Sequence, residues 1–367
     1  MQTDEFQIGP KLGDLVAKIV ASYEADPRTQ HIDRVYLPSR TQIVSLVNDM
    51  LELLYPGFIG RHHLTRHNVA FHVGDLLPRI AENAFRQIRN CLCYMDETQD
   101  PADAHESACD EQARKLTTEF IDAIPLTRER LAADVQAAMD GDPAAINTDE
   151  IILSYPGILA ISVHRVAHTL YQLAVPLMPR VMSEWAHLQT GIDLHPGARV
   201  GRSFFIDHGT GVVIGETSII GDDVTLYHSV TLGGTSPSVD SHNQIGQKRH
   251  PTILDRAIIG SGAAVLGPIT IGEGAQVGAN SVVTKDIPAS VTAVGIPAKV
   301  IMPRDKAKAR EFQPYGTPTD AGPDPVLQTI ESLRGQVSAL MKRVEELEAP
   351  LDSGEQPTPR KQGGQSG

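Results

Sequence analysis

Residues 192–215, IDLHPGARVGRSFFIDHGTGVVIG, and their continuation at 251–284, PTILDRAIIGSGAAVLGPITIGEGAQVGANSVVT, decide the architecture of this chain. An aliphatic residue returns every six positions. Leu194, Val200 and Ile206 open the series; after two extra residues it resumes at Ile214, Ile220, Leu226 and Leu232. A polar loop intervenes, and Ile253, Ile259, Val265, Ile271, Val277 and Val283 carry the series on. Glycine often follows the aliphatic, as at Gly201, Gly215, Gly221, Gly233, Gly260, Gly272 and Gly278. A helix repeats every 3.6 residues and a strand every two, so neither explains a period of six. A short period with one inward aliphatic predicts a β-solenoid. Three hexads make one triangular turn, the aliphatics stack in a central column, and small residues fit the tight corners. Thirteen positions on a six-residue period argue against a Gly-rich loop or an ordinary sandwich.

Working outward, the expected fold class is α + β. A helical N-terminal domain over 1–190 is followed by a left-handed parallel β-helix over 191–303. In the helical part, Leu12, Leu15, Val16, Ile19 and Val20 share one face at helical spacing. Further helices are expected over about 38–54, 75–98, 105–124, 126–140 and 158–175, with Asp142-Pro143 opening a short segment between the last two. Pro176 and Pro179 punctuate the approach to the solenoid. Beyond it, the Pro- and Gly-rich residues 304–325 read as a linker. Ile330, Leu333, Val337, Leu340, Val344 and Leu347 form a short a/d seam, a coiled-coil helix over 326–348. Residues 349–367 have the composition of a disordered tail.

The 367 residues carry a net charge of −13, which argues against a general nucleic-acid binder, since phosphate binding needs a basic face. The three cysteines, Cys91, Cys93 and Cys109, lack a framework spacing and suggest reduced thiols in a cytoplasmic protein. Neither a signal peptide nor a membrane span is read from the sequence. His62, His63 and His67 have no carboxylate or cysteine nearby to complete a metal set. His164 and His168 have the i,i+4 spacing of a zinc helix, but Arg165 stands where the pattern needs Glu. No metal site is expected.

Three stretches depart from the bare repeat: Asp193-Leu194-His195-Pro196, Asp207-His208-Gly209-Thr210-Gly211, and Gly233-Gly234-Thr235 with Arg249-His250-Pro251 beyond a polar loop. Insertions in a strict repeat map to loops on one face, often the binding face. The series I-D-L-H-P-G-A, I-D-H-G-T-G-V-V-I-G-E-T, V-T-L-G-G-T and R-H-P resembles serine O-acetyltransferase, of the hexapeptide-repeat acyltransferase superfamily. The resemblance covers roughly residues 140–303; the first ~130 residues and the coiled-coil segment lie outside it.

That resemblance implies acetyl transfer from acetyl-CoA to L-serine, with no metal. It implies His208 as the base that takes the hydroxyl proton, since histidine titrates near the working pH. Asp193 would hold the imidazole's tautomer, as in triad logic. Arg249 would take the serine carboxylate with its planar fork. His250 would be a second substrate-facing histidine, and Asp207 and Asp142 would receive the ammonium group. Gly234, Thr235, Ser261 and Ala279 would line an acetyl-CoA groove between adjacent solenoids. The resemblance further implies a homotrimer or a dimer of trimers, and feedback by cysteine in the serine site. The extreme C-terminal Ile through which many members dock into O-acetylserine sulfhydrylase is absent. The chain ends Gln365-Ser366-Gly367, which sets that complex in doubt. The loop 236–248, longer than the common bacterial form, is a candidate lid. The competing readings are an O-acetyltransferase acting on a sugar or xenobiotic, a γ-type carbonic anhydrase needing three zinc histidines, and a non-catalytic assembly protein.

Overall fold

The structure is a computed structural model that describes residues 9–99, 106–235 and 247–301. Met1–Ala309 forms one compact unit, and Arg310–Gly367 lies outside the described residues. The expected linker, coiled coil and tail lie outside the described residues, as does most of the candidate lid.

Eight helices come first among the described residues: α1 (Gly9–Ala25), α2 (Arg40–Leu54), α3 (Val69–Gln99), α4 (Glu106–Asp122), α5 (Ile124–Gly141), α6 (Thr148–Ser154), α7 (Pro156–Gln172) and α8 (Met178–Thr190). Local chemistry sets several boundaries. Ser39 caps α2 by accepting the Gln42 N–H, and Pro125 and Pro156 sit in the first turns of α5 and α7, where a missing N–H costs nothing. Two expectations need correction. Asp142-Pro143 opens no helix: Asp142 closes α5 and bends the chain by accepting the Ala144 N–H, and α6 starts later, capped by Asn147. The sequence reading also missed α8. Pro179 falls in its first turn, so a residue taken as a break is a helix start, and Gly191 at φ 71° ends it. α1 is helical as expected, but its apolar stripe is not core: Leu12, Leu15, Val16, Ile19 and Val20 are all exposed.

Fifteen short strands follow among the described residues, in three faces. The first face orders β1 (Asp193–Leu194), β4 (Val213–Ile214), β7 (Thr231–Gly233), β10 (Ala264–Leu266) and β13 (Val282–Val283). The second holds β2 (Arg199–Val200), β5 (Ile219–Ile220), β8 (Thr252–Ile253) and β11 (Thr270–Ile271). The third holds β3 (Phe205–Asp207), β6 (Thr225–Tyr227), β9 (Ile258–Ile259), β12 (Gln276–Val277), β14 (Thr292–Val294) and β15 (Lys299–Ile301). From β1 to β13 successive strands take successive faces, β14 and β15 both join the third, and neighbours within a face run parallel except that β15 pairs antiparallel with β14.

The register is that of the hexads. Leu194, Ile214, Leu232, Val265 and Val283 stack on the first face. Val200, Ile220, Ile253 and Ile271 stack on the second, and Ile206, Leu226, Ile259 and Val277 on the third. All thirteen are buried except Val200, which is half-buried. A second inward set lies two residues before each aliphatic. Ala198, Phe204, Val212, Val224, Val230, Ala257, Ala263 and Ala275 are fully buried and fill the corners.

The helices α5, α7 and α8 cover the open end of the first coil. Gly157 lets α7 approach: a Cβ there would stand 2.5 Å from the Ile206 carbonyl oxygen. Arg165 and Asp134 fasten the join. Their side chains are 4% and 0% exposed, with Nε to Oδ2 at 2.6 Å and Nη2 to Oδ1 at 2.7 Å. The same guanidinium donates to the Gly201 carbonyl at 2.8 Å, and Asp134 accepts the Phe204 N–H at 3.0 Å, so one buried pair ties two helices to the solenoid backbone. Removing one partner of such a pair strands the other charge. Arg165→Met should therefore lower stability by about 3–5 kcal/mol, and the double variant with Asp134→Leu should recover part of that loss. Denaturant unfolding of the three proteins measures both effects.

Candidate active site

Each residue's offset from its column aliphatic fixes the corner on which it stands. At the corner from the third face to the first, two extra residues follow Asp207. His208 occupies that corner at φ 58°, a left-handed conformation uncommon outside glycine. Its side chain is 62% exposed, while that of Asp207 is buried; Asp207 Oδ1 lies 3.7 Å from His208 Nδ1. Asp193 begins β1 at the same edge of the prism, where Gly209 packs over Ile192. Asp193 also stands near α8: its carboxylate, Glu184 and His187 bring ligand atoms within 4.8 Å of one another.

Asp142 joins this edge from the helical side. Tyr155, at the N-terminus of α7, donates its hydroxyl to Asp142 Oδ2 at 2.6 Å. Burial pushes the Tyr227 hydroxyl up to about 12, and the charges of Asp207 and Asp142 push the same way, so the two carboxylates share one neighbourhood. Higher on this corner, His228, Ser261 and Ala279 occupy the equivalent places two residues beyond Leu226, Ile259 and Val277. The imidazoles of His208 and His228 are 6.1 Å apart, and Ser261 accepts the Asn280 N–H through its carbonyl.

The other predicted residues collect on a different corner, from the first face to the second. Where six residues would connect Leu232 to Ile253, the chain makes a long excursion that returns through Lys248, Arg249 and His250. Arg249 Nη2 donates to Glu216 Oε2 at 2.5 Å, and Tyr171 from α7 donates to Glu216 Oε1 at 3.1 Å. Burial acts upward on Glu216, but these two hydrogen bonds outweigh it and hold the carboxyl below its usual range. His250 is buried and its Nδ1 receives the Thr217 backbone N–H at 3.1 Å. A ring nitrogen that accepts an N–H carries no proton, so the neutral ring presents Nε2–H. Burial and the Arg249 charge bring His250 down to about 4. Gly215 makes room for the ring: a Cβ there would stand 2.1 Å from His250 Cδ2. Gly234 and Thr235 belong to this same corner, next to His250 and Gly267 respectively.

The chain thus brings Asp142, Asp193, Asp207 and His208 to one edge, with Ser261 and Ala279 above. It brings Arg249, His250, Gly234 and Thr235 to another. Sequence reasoning gave no role to Glu216, Thr217, Tyr155 and Tyr171, which hold or brace the predicted residues Asp142, Arg249 and His250. The available signal was positional: Glu216 and Thr217 directly follow the Ile214-Gly215 step, at the corner where the insertion returns. His164 and His168 lie on α7, His164 buried and His168 half-buried. Their rings stack 5.5 Å apart, and His168 Nδ1 meets the Pro196 carbonyl at 2.7 Å.

Residues 250–285 match the model of the bacterial transferase hexapeptide family, described as six repeats. The chain is 41% identical over 281 residues to "Serine acetyltransferase, plasmid" of Synechococcus elongatus, covering 75% of this chain and 88% of that protein. It is 47% identical over 212 residues to a serine acetyltransferase of Mycobacterium tuberculosis, 57% of this chain and 86% of that one. Among solved structures, serine acetyltransferase isoform 3 of Entamoeba histolytica, in complex with cysteine, is similar with a TM-score of 0.58 and 32% identity. The match covers 81% of this chain and 96% of that one. A match of 281 residues is too long to lie within residues 140–367, so it takes in part of the helical region that the sequence reading left outside the resemblance. The chain belongs to the serine acetyltransferase family.

Proposed function

We propose that this chain transfers acetyl from acetyl-CoA to the hydroxyl of L-serine, giving O-acetyl-L-serine and CoA, the step that commits serine to cysteine synthesis. The supporting observation is the exposed His208 at a left-handed corner of the edge that also carries Asp193 and Asp207, in a chain of this family.

His208 takes the proton from the serine hydroxyl as its oxygen attacks the thioester carbonyl carbon. The tetrahedral intermediate collapses with cleavage of the C–S bond, and the imidazolium returns the proton to the leaving thiolate. Asp193 stabilises the charged ring. Serine supplies the nucleophile, so no acyl-enzyme is needed. Asp142 and Asp207 receive the ammonium group; Arg249 takes the carboxylate, beside the neutral Nε2–H of His250. Acetyl-CoA lies along the edge above His208, where Ser261 and Ala279 are small enough for the pantetheine to run near the backbone.

The two groups of residues stand on different edges, separated by a strand and its corners, a span on the order of 10 Å. That exceeds a serine molecule. The site is therefore composite: the His208 edge of one copy faces the Arg249 edge of the next, whose Gly234 and Thr235 line the same groove. Contact between two unlike edges is heterologous and closes as a ring, here a trimer with one site per interface.

His208→Asn keeps a residue that tolerates the left-handed corner. It should reduce serine-dependent CoA release by about 10²–10⁴-fold while the oligomer stays intact. Release with a sugar hydroxyl and not with serine would overturn the substrate. The composite site has its own test. Chains carrying His208→Asn and chains carrying Arg249→Ala, each impaired alone at low serine, should regain activity when dissociated and reassembled together. No recovery, with mixed oligomers demonstrated by mass, would place the whole site within one chain.

A further inference from the structure

We infer that Thr217 is a positioning residue of the serine site, whose hydroxyl sets the placement of both Arg249 and His250. The inference rests on the proposed assignment of those two residues to serine.

The hydroxyl oxygen of Thr217 accepts the backbone N–H of Arg249 at 3.0 Å and that of His250 at 3.1 Å. It also lies 2.9 Å from His250 Nδ1, to which it donates, since that nitrogen already accepts the Thr217 N–H. A hydroxyl has one proton and two lone pairs, so three bonds use its whole capacity, and all three go to the Arg249-His250 pair. The Thr217 carbonyl extends the seat to the residue before the pair, accepting from Lys248 Nζ at 2.6 Å. Three consecutive residues at the end of the long excursion are thus fixed on one residue of a rigid solenoid corner.

The neighbours of Thr217 complete the arrangement. Glu216 holds the Arg249 guanidinium, and Gly215 leaves the space that the His250 ring fills. Residues 215–217 therefore divide the work: one gives room, one aims the cation, one fixes the backbone and the imidazole. Without this seat, the register of Arg249 and His250 would depend on the described residues 247–251, none of which lies in a strand. Valine matches threonine in shape without the hydroxyl, and serine keeps the hydroxyl without the methyl, so the two variants separate packing from positioning.

The experiment compares Thr217→Val, Thr217→Ser, Arg249→Ala and His250→Asn in the full chain, with rates referred to folded oligomer measured by size-exclusion chromatography. Thr217→Ala replaces the valine variant if that does not fold. Thr217→Val should raise the serine KM about 10–100-fold, the usual effect of removing a group that orients a ligand-binding residue. It should move the acetyl-CoA KM by less than about twofold, because the Thr217 hydroxyl holds only groups assigned to serine. Thr217→Ser should stay within about threefold of the parent protein, since it keeps all three hydrogen bonds. A parental serine KM in Thr217→Val, beside raised values in Arg249→Ala and His250→Asn, overturns this inference alone. So does equal impairment of the valine and serine variants, which would assign Thr217 to packing. A parental serine KM in Arg249→Ala and His250→Asn overturns the reading of the serine site itself, whatever Thr217 does.

Discussion

The stacking of one buried aliphatic per six residues is the constraint on which the rest of this protein depends. Each of the three columns joins residues paired in register across successive coils, from Leu194 to Val283 on the first face and likewise on the others. A slip of one residue would turn a column outward and expose every aliphatic in it. The register therefore resists change, and it converts distance along the chain into position in space. Residues at equal offset from their column residues fall on one edge. His208, His228, Ser261 and Ala279 share an edge for that reason, and so do Glu216 and Gly234 on another.

Chemistry then enters at interruptions. The two residues added at Asp207-His208-Gly209-Thr210-Gly211 widen one corner without shifting the column, because Ile214 resumes directly above Leu194. The widened corner places a histidine at positive φ, a backbone conformation that costs about 1–2 kcal/mol for a side chain larger than glycine. The surrounding stack holds it there: Gly211 donates to the Gly191 carbonyl, and Ser229 donates to the carbonyl of Thr210. The second interruption is larger and less constrained by the repeat. Its return is fastened by side chains, through Glu216 and Thr217, instead of by strand pairing.

This difference explains what was legible in the sequence. The solenoid was readable because burial selects residue type at each column position, and type survives in a one-dimensional string. The proposed site residues stood out because Asp, His and Arg beside breaks in a repeat have no packing explanation. The second inward column was not seen, because Ala198, Ala257 and Ala263 are unremarkable as types and only their stacking makes them core. α8 was hidden by two prolines that read as breaks. Arg165 was noticed only as the residue that spoils a zinc pattern, since its partner Asp134 is 31 positions away. Glu216 and Thr217 were quoted within a motif yet given no role, because their partners lie more than thirty residues on, across the insertion.

The same logic separates the two halves of the site by how they are held. The His208 edge is built into the repeat itself and is braced by helices, with Tyr155 of α7 gripping Asp142 at the close of α5. The Arg249 edge is braced across the insertion, and Tyr171 of the same helix reaches it through Glu216. α7 thus touches the support of both edges, while Arg165, also on α7, pins that helix to the first coil through the Gly201 carbonyl. A displacement of α7 would act on Asp142 and on Glu216 together. The helical region is in this sense tied to both edges: it sets the orientation of Asp142 and Glu216, which stand beside the proposed site residues.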